Sequence, residues 1–142
     1  MTPQNCAERC AEIMWASDHA SKGLGIIRGP VGPGVAEMSL TIQKHHLNGH
    51  GICHGGFIFT LADSAFAFAC NSYNQVTVAQ ETTITFLAPG TLGEVLIASA
   101  EEVLRTGRSG VYDVMVRGAD QRKIALFRGL SRTIKGKHFD DS

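Results

Sequence analysis

Apolar residues follow three different rhythms along this chain, and each rhythm predicts an element. Between residues 5 and 16, Cys6, Cys10, Ile13 and Met14 recur at helical spacing with Glu8, Arg9 and Glu12 between them. That predicts a short amphipathic helix. The stretch GLGIIRGPVGPG then reads as a short strand running into a Gly/Pro turn. Over 35–42 the sequence VAEMSLTI alternates, with Val35, Ala36, Met38, Leu40 and Ile42 as its apolar members, which predicts a half-exposed strand. The third rhythm is no alternation at all. From Phe57 to Cys70 nearly every position is apolar: Ile58, Phe59, Leu61, Ala62, Ala65, Phe66, Ala67, Phe68 and Ala69 among them. A helix that is apolar all round is either membrane-spanning or wrapped by its own protein. The run from Gly56 is shorter than the ~20 residues a bilayer requires, so it predicts a buried central helix.

Strand patterns dominate the remainder. Residues 75–79 form a short β-branched stretch, and TTITFL at 82–87 reads as a separate strand stopped by Pro89 and Gly90. In 94–105, Glu and Ala favour helix, but Val95, Ile97, Ser99, Glu101 and Val103 share a period-two face. The turn RTGRSG and the strand-like VYDVMV that follow decide for a hairpin pairing 94–105 with 110–117. A last strand, IALFRGLSRTI, precedes a polar tail, 135–142, expected to be loose. One α+β domain over 1–142, with antiparallel strands wrapped on a single long helix, is the expected arrangement. One sheet face should not cover so apolar a helix, so a partner subunit is expected to complete the shell.

Composition narrows the partners. Thirteen basic and thirteen acidic side chains cancel, which gives no electrostatic case for nucleic acid or an anionic membrane. The opening MTPQNCAERC shows no cationic segment followed by an apolar run, and the four cysteines follow no compact disulfide pattern. A cytoplasmic protein with reduced thiols is the expectation.

The chemistry concentrates in HHLNGHGICHGGFIFTLADSAFAFACNS, residues 45–72. Asn48 sits in a glycine-rich loop, and His54-Gly55-Gly56 opens the helix. A helix N-terminus offers unpaired N–H groups and the positive end of a dipole, and glycine lets a carbonyl oxygen approach them. Asp63 stands alone in the middle of the apolar helix, where a carboxylate is costly to bury without partners, which points to a use for it. It lies roughly 12 Å along the axis from Gly55, too far for both to act on one carbonyl within one straight helix. A joint site would therefore need Gly55 and Asp63 from facing subunits across a two-fold axis.

Asn48-Gly49-His50, Cys53-His54-Gly55-Gly56 and Leu61-Ala62-Asp63 closely resemble the hotdog-fold acyl-CoA thioesterases, and within them the phenylacetic acid degradation (PaaI-type) branch. The resemblance extends through Ala69-Cys70-Asn71-Ser72, Phe86-Leu87-Ala88-Pro89-Gly90, Gly110-Val111-Tyr112-Asp113 and Ala125-Leu126-Phe127-Arg128-Gly129, covering residues 20 to 134. It implies a long helix wrapped by a curved antiparallel sheet, with dimers that usually pair again into homotetramers. It also implies hydrolysis of phenylacetyl-CoA or its ring-hydroxylated forms without a cofactor, coenzyme A being part of the substrate. Gly55 N–H, with Gly56 adjacent, would polarise the thioester carbonyl, and the partner's Asp63 would act as general base or nucleophile. Asn48 matches the position that orients water or carboxylate, and His54 would shape the loop and assist the carbonyl. A threonine that some relatives carry one turn after the carboxylate is Ala67 here. Phosphates of coenzyme A would fall on Arg108 and Ser109 in the TGRSG turn, with Lys123 and Arg128 as weaker choices, and Phe59, Phe66 and Phe68 would line the acyl pocket.

Competing readings attach to the same residues. His45, His46, His50, Cys53 and His54 are all metal-ligand types, but their spacing matches no closed structural site. Cys53-His54 suggests a thiol nucleophile, and GHGICHGG superficially resembles a phosphate loop but lacks its Lys-Ser/Thr. A non-catalytic acyl-CoA sensor, a thioesterase for medium or short aliphatic acyl-CoA, and a His/Asp dehydratase remain alternatives. For Asp63 the bland alternative is a carboxylate bonded to Thr60 or to nearby backbone.

Overall fold

The computed structural model describes residues 1–142. Helix α1 (Pro3–Ser17) starts two residues before the expected helix, because Thr2 caps it by accepting from Asn5 N at 3.0 Å and Pro3 occupies the first turn. A second helix, α2 (His19–Leu24), follows at once and is missing from the sequence reading. Its signals are local: Asp18 accepts from Ser21 N at 3.0 Å at the start, and Gly25 ends it at φ +89°.

Strands β1 (Ile27–Gly32) and β2 (Val35–Thr41) form a hairpin around Pro33-Gly34, where Gly34 takes φ +72°. Pro30 is tolerated inside β1 because this strand is a sheet edge and its register shifts between Arg28 and Val31. The long helix α3 (Gly55–Cys70) comes next, then β3 (Thr77–Phe86), β4 (Val95–Thr106), β5 (Ser109–Arg117) and β6 (Lys123–Thr133). All pairings are antiparallel, in the order β1-β2-β4-β5-β6-β3. The two stretches read as separate around residue 80 are one strand, β3, whose register shifts between Ala79 and Glu81. A bulge breaks the alternation there without ending the strand. The hairpin of β4 and β5 turns on Gly107-Arg108, with Gly107 at φ +58°.

The sheet curves around α3, which lies mainly against β2, β4 and β5. Leu61, Ala62, Ala65 and Ala69 are sealed inside, facing Met38, Leu40, Leu96, Ala98 and Val114. Phe66 is 1% exposed and packs its ring on Tyr112 and Phe127. A Cβ at position 129 would stand 2.7 Å from that ring, so Gly129 in β6 is the recess that Phe66 fills. Truncating Phe66 would cost about 3–5 kcal/mol by this burial. One stripe of α3 stays open, because Gly56, Thr60, Asp63 and Ala67 fall on one side and none of them is buried. Strand β3 is likewise exposed along most of its length.

The tail departs from expectation. Asn74 holds it by accepting from His138 N (3.0 Å) and Phe139 N (3.1 Å) and donating to Phe139 O (3.0 Å). Asn71 binds the His138 ring at 2.9 Å and also takes Thr77 N and Thr77 O. Two buried asparagines just past α3 thus tie helix, edge strand and tail together.

Candidate active site

The N-terminus of α3 is prepared by the loop before it. His46 is fully buried, its Nδ1 accepting from Gln43 N and its Nε2 facing Leu24 O, both at 2.9 Å. This anchors the loop, and His46 O in turn accepts from His54 N at 2.8 Å. Asn48 closes the intervening turn on itself, its Oδ1 accepting from His50 N (2.9 Å) and Ile52 N (3.4 Å). The side-chain oxygen of Asn48 is therefore spent on the loop, and its Nδ2 donors are left for the cleft it borders.

His54 caps α3. Its Nδ1 accepts from Gly56 N at 2.9 Å, so the neutral ring carries its proton on Nε2. His54 O accepts from Phe57 N and Ile58 N. Gly55 N–H is the one donor of the first turn left unclaimed. Each glycine of the pair makes room for an aromatic ring. A Cβ at 55 would stand 2.9 Å from Phe86 Cζ, and one at 56 would stand 3.1 Å from His54 Nδ1. Gly56, expected beside the polarising Gly55, has its own N–H taken by the His54 cap.

Asn48 and Gly55 share a cleft of about 460 Å³. Ile52, Ile58, Phe86, Leu87, Ala88 and Pro89 supply its apolar walls, and it holds no charged side chain. The segment 86–89 was absent from the expected site. Its backbone is fixed where Leu87 N and Ala88 N both donate to Ile124 O. Arg122 braces it too, donating to Pro89 O at 2.9 Å while forking onto Glu94 at 2.7 and 2.8 Å. The sequence signals were the stop at Pro89-Gly90 after a strand and the family resemblance of Phe86-Leu87-Ala88-Pro89-Gly90, neither of which says that the segment walls a cleft.

Asp63 lies on the open stripe of α3, away from this cleft. Thr60 does not hold it, because that hydroxyl donates to Gly56 O at 2.9 Å. Half-burial without a compensating partner raises the Asp63 carboxyl above its ordinary range. One chain thus presents a free N–H donor and an unpartnered carboxylate that are about 12 Å apart along one helix.

Other expected contacts sit elsewhere. Arg108 and Ser109 lie at the β4–β5 turn near Cys70, Gln75 and Thr133, at the opposite end of α3 and roughly 20 Å from Gly55 along the helix. Within one chain they do not join the cleft. Arg128 is occupied by Asp113, at 2.6 and 2.8 Å. Phe66 and Phe68 are core, Phe68 edge-on to Trp15, so neither lines an open pocket of the single chain. Phe59 packs edge-on to Phe127. Cys53 is buried, burial pushes its thiol up, and its neighbour His54 turns to Gly56, so no thiol–imidazole pair forms. No three His, Cys, Asp or Glu side chains converge as metal ligands.

Residues 50–125 match the family model described as "Thioesterase superfamily". The chain belongs to the thioesterase superfamily. It is 43% identical over 126 residues to the acyl-coenzyme A thioesterase PaaI of Escherichia coli (strain K12), covering 89% of this chain and 90% of that one. The solved E. coli PaaI protein from the phenylacetic acid degradation operon superposes with a TM-score of 0.94 at 40% identity, over 96% of this chain and 99% of that one. A variant of the phenylacetic acid degradation protein PaaI from Thermus thermophilus aligns at 33% identity and a TM-score of 0.77, over 80% and 97% of the two chains. The fold is that of the hotdog thioesterases, and this member is an acyl-CoA thioesterase of the PaaI type. None of its helices is long and apolar enough to cross a membrane.

Proposed function

We propose that this thioesterase hydrolyses phenylacetyl-CoA or its ring-hydroxylated forms, at a site shared between two copies of the chain. The observation that carries the shared site is the mismatch within one helix. Gly55 has a free N–H in an uncharged cleft, while Asp63, eight residues later, carries an unpartnered carboxylate on the exposed stripe. A second copy laid against that stripe and the exposed strand β3 brings its own Asp63 towards the first copy's Gly55, and the reverse.

The thioester carbonyl accepts from Gly55 N–H, which stabilises negative charge as it develops on oxygen. The partner's Asp63 then attacks the carbonyl carbon or takes a proton from an attacking water. In the base route the hydroxyl of that water stays on the acyl carbon as the C–S bond breaks, and the proton held by Asp63 passes to the departing sulfur, giving the free acid and coenzyme A thiol. In the nucleophile route the C–S bond breaks to leave an acyl–Asp63 anhydride, which a water then hydrolyses to the free acid while its proton goes to the thiolate. Asn48 Nδ2 donates to the water or the carboxylate. The hydrolysis needs no cofactor, coenzyme A being part of the substrate, and Arg108 and Ser109 meet its phosphates from another subunit of the assembly. The arylacetyl preference is supported by similarity to PaaI of E. coli. A second reading, a short or medium aliphatic acyl group, is favoured by the aliphatic residues around the cleft and by the burial of Phe66 and Phe68.

Free-thiol release from phenylacetyl-, hydroxyphenylacetyl-, benzoyl-, hexanoyl- and palmitoyl-CoA, wild type beside Asp63→Ala, tests the proposal. Asp63-dependent cleavage led by the arylacetyl substrates is expected. Hexanoyl-CoA as the best substrate would select the second reading. Mixtures of Asp63→Ala and Gly55→Val subunits should recover activity, and verified mixed dimers that stay inactive would remove the shared site.

A further inference from the structure

We propose that Phe86 is a positioning residue for hydrolysis, the apolar wall that holds the thioester carbonyl on Gly55 N–H and keeps water off that donor. The inference rests on the reading of Gly55 as the carbonyl-polarising group. Phe86 ends strand β3, and its side chain is 50% exposed, so the core does not account for it. Its ring nevertheless has a defined neighbour. The three atoms closest to a Cβ built on Gly55 all belong to Phe86, at 2.9, 3.3 and 3.4 Å. The backbone beneath the ring is fixed by pairing of Phe86 with Ala125 and by the bonds of Leu87 and Ala88 to Ile124 O. The ring is thus delivered to Gly55 by a rigid strand end.

The chemistry requires such a wall. A single N–H at an open helix end is hydrated, and water competes with the carbonyl for it. An apolar ring beside the donor lowers the local dielectric and so strengthens the N–H···O interaction as charge accumulates on oxygen. The cleft holds no charged side chain that would draw water back. This also gives glycine at 55 a second reason. A side chain there would displace the ring before it obstructed the substrate.

The test is steady-state hydrolysis by Phe86→Ala, Phe86→Leu and Phe86→Tyr, on phenylacetyl- and hexanoyl-CoA, with assembly state and thermal midpoint measured alongside. Phe86→Ala should lower kcat about tenfold, a fraction of what a whole oxyanion donor is worth, on every thioester that the wild type cleaves. KM should stay within about threefold, and Phe86→Leu should recover most of the kcat loss, since a smaller apolar group still excludes water. Phe86→Tyr adds an oxygen at the ring atom closest to Gly55, so its kcat should fall below that of Phe86→Leu although its surface is as well tolerated. The proposal is overturned by an unchanged kcat in Phe86→Ala, by a loss confined to KM, or by a loss restricted to one acyl group. It is also overturned if the Leu and Tyr variants lose activity only in step with assembly or melting. A wild type that cleaves neither thioester, or Asp63→Ala with full activity, would instead sink the underlying mechanism.

Discussion

Two carboxylates in this chain receive opposite treatment. Glu94, whose side chain is 5% exposed, is met by Arg122 and by the amides of Thr91 (3.1 Å) and Ala119 (2.8 Å). Burial pushes its carboxyl up, but the two amides and the guanidinium outweigh that and hold it below the usual range. Asp63 has burial alone, and its carboxyl is raised. A carboxylate surrounded by donors serves the structure, and here Glu94 steadies Arg122 and through it the Pro89 wall of the cleft. A carboxylate left without donors in an apolar helix stays more basic than usual, which is what the proposed role of Asp63 requires. The two ends of α3 differ in the same way. The C-terminal end is closed by Asn71 and the tail, while the N-terminal end keeps one N–H open.

The largest effect that would sharpen this contrast is on turnover. Asp63→Ala should reduce kcat by about a thousandfold with little change in KM, since the lost interaction belongs to the reacting atoms. A drop in affinity with kcat retained would break the comparison. Glu94→Ala should do the reverse, lowering stability by about 2 kcal/mol because Arg122 and two amides lose their acceptor. Urea unfolding checks this, and turnover per folded molecule should remain within a few-fold of wild type. Asn48→Ala should cost about tenfold in kcat if its Nδ2 orients the reacting groups. An effect on KM alone would return Asn48 to a purely loop-closing role.

The smallest effect concerns pH. The folded Asp63 carboxyl lies above its unfolded value, so the native state holds more protons than the unfolded state between the two. That contribution to stability is therefore present at low pH and is lost as pH rises through the folded value. Asp63→Asn, which cannot ionise, should be slightly more stable than wild type at neutral pH, by under about 1 kcal/mol. A denaturation series from pH 4 to 8 would show the gap between the two widening as pH rises. For catalysis the acid limb of kcat/KM should lie above the ordinary carboxylate range.

Legibility from sequence followed the length scale of the cause. The central helix, the β2 alternation and the β4–β5 hairpin were readable because each depends on side-chain period over many residues. Helix α2 is six residues long and rests on one cap at Asp18 and one glycine at 25, a signal too local to rise above its surroundings. The bulge near Gln80 made one strand look like two. The polar tail looked loose because its partners, Asn71 and Asn74, lie more than sixty residues away in sequence.

Within the site, spacing alone established that a helix N-terminus with two glycines precedes a lone carboxylate by eight residues, and standard rise made those groups too distant to act together in one chain. These are consequences of local covalent geometry, which any fold containing the helix must respect. Tertiary structure alone decided that His54 takes Gly56 N–H and leaves Gly55 free, that Phe86 abuts Gly55, and that Phe66 fills the recess at Gly129 rather than a pocket. It also decided that Arg122 supports the cleft while Arg128 is bound to Asp113. Which donors are satisfied and which rings meet depends on long-range strand register and loop closure, and residue type along the chain carries no record of either until the sheet has formed.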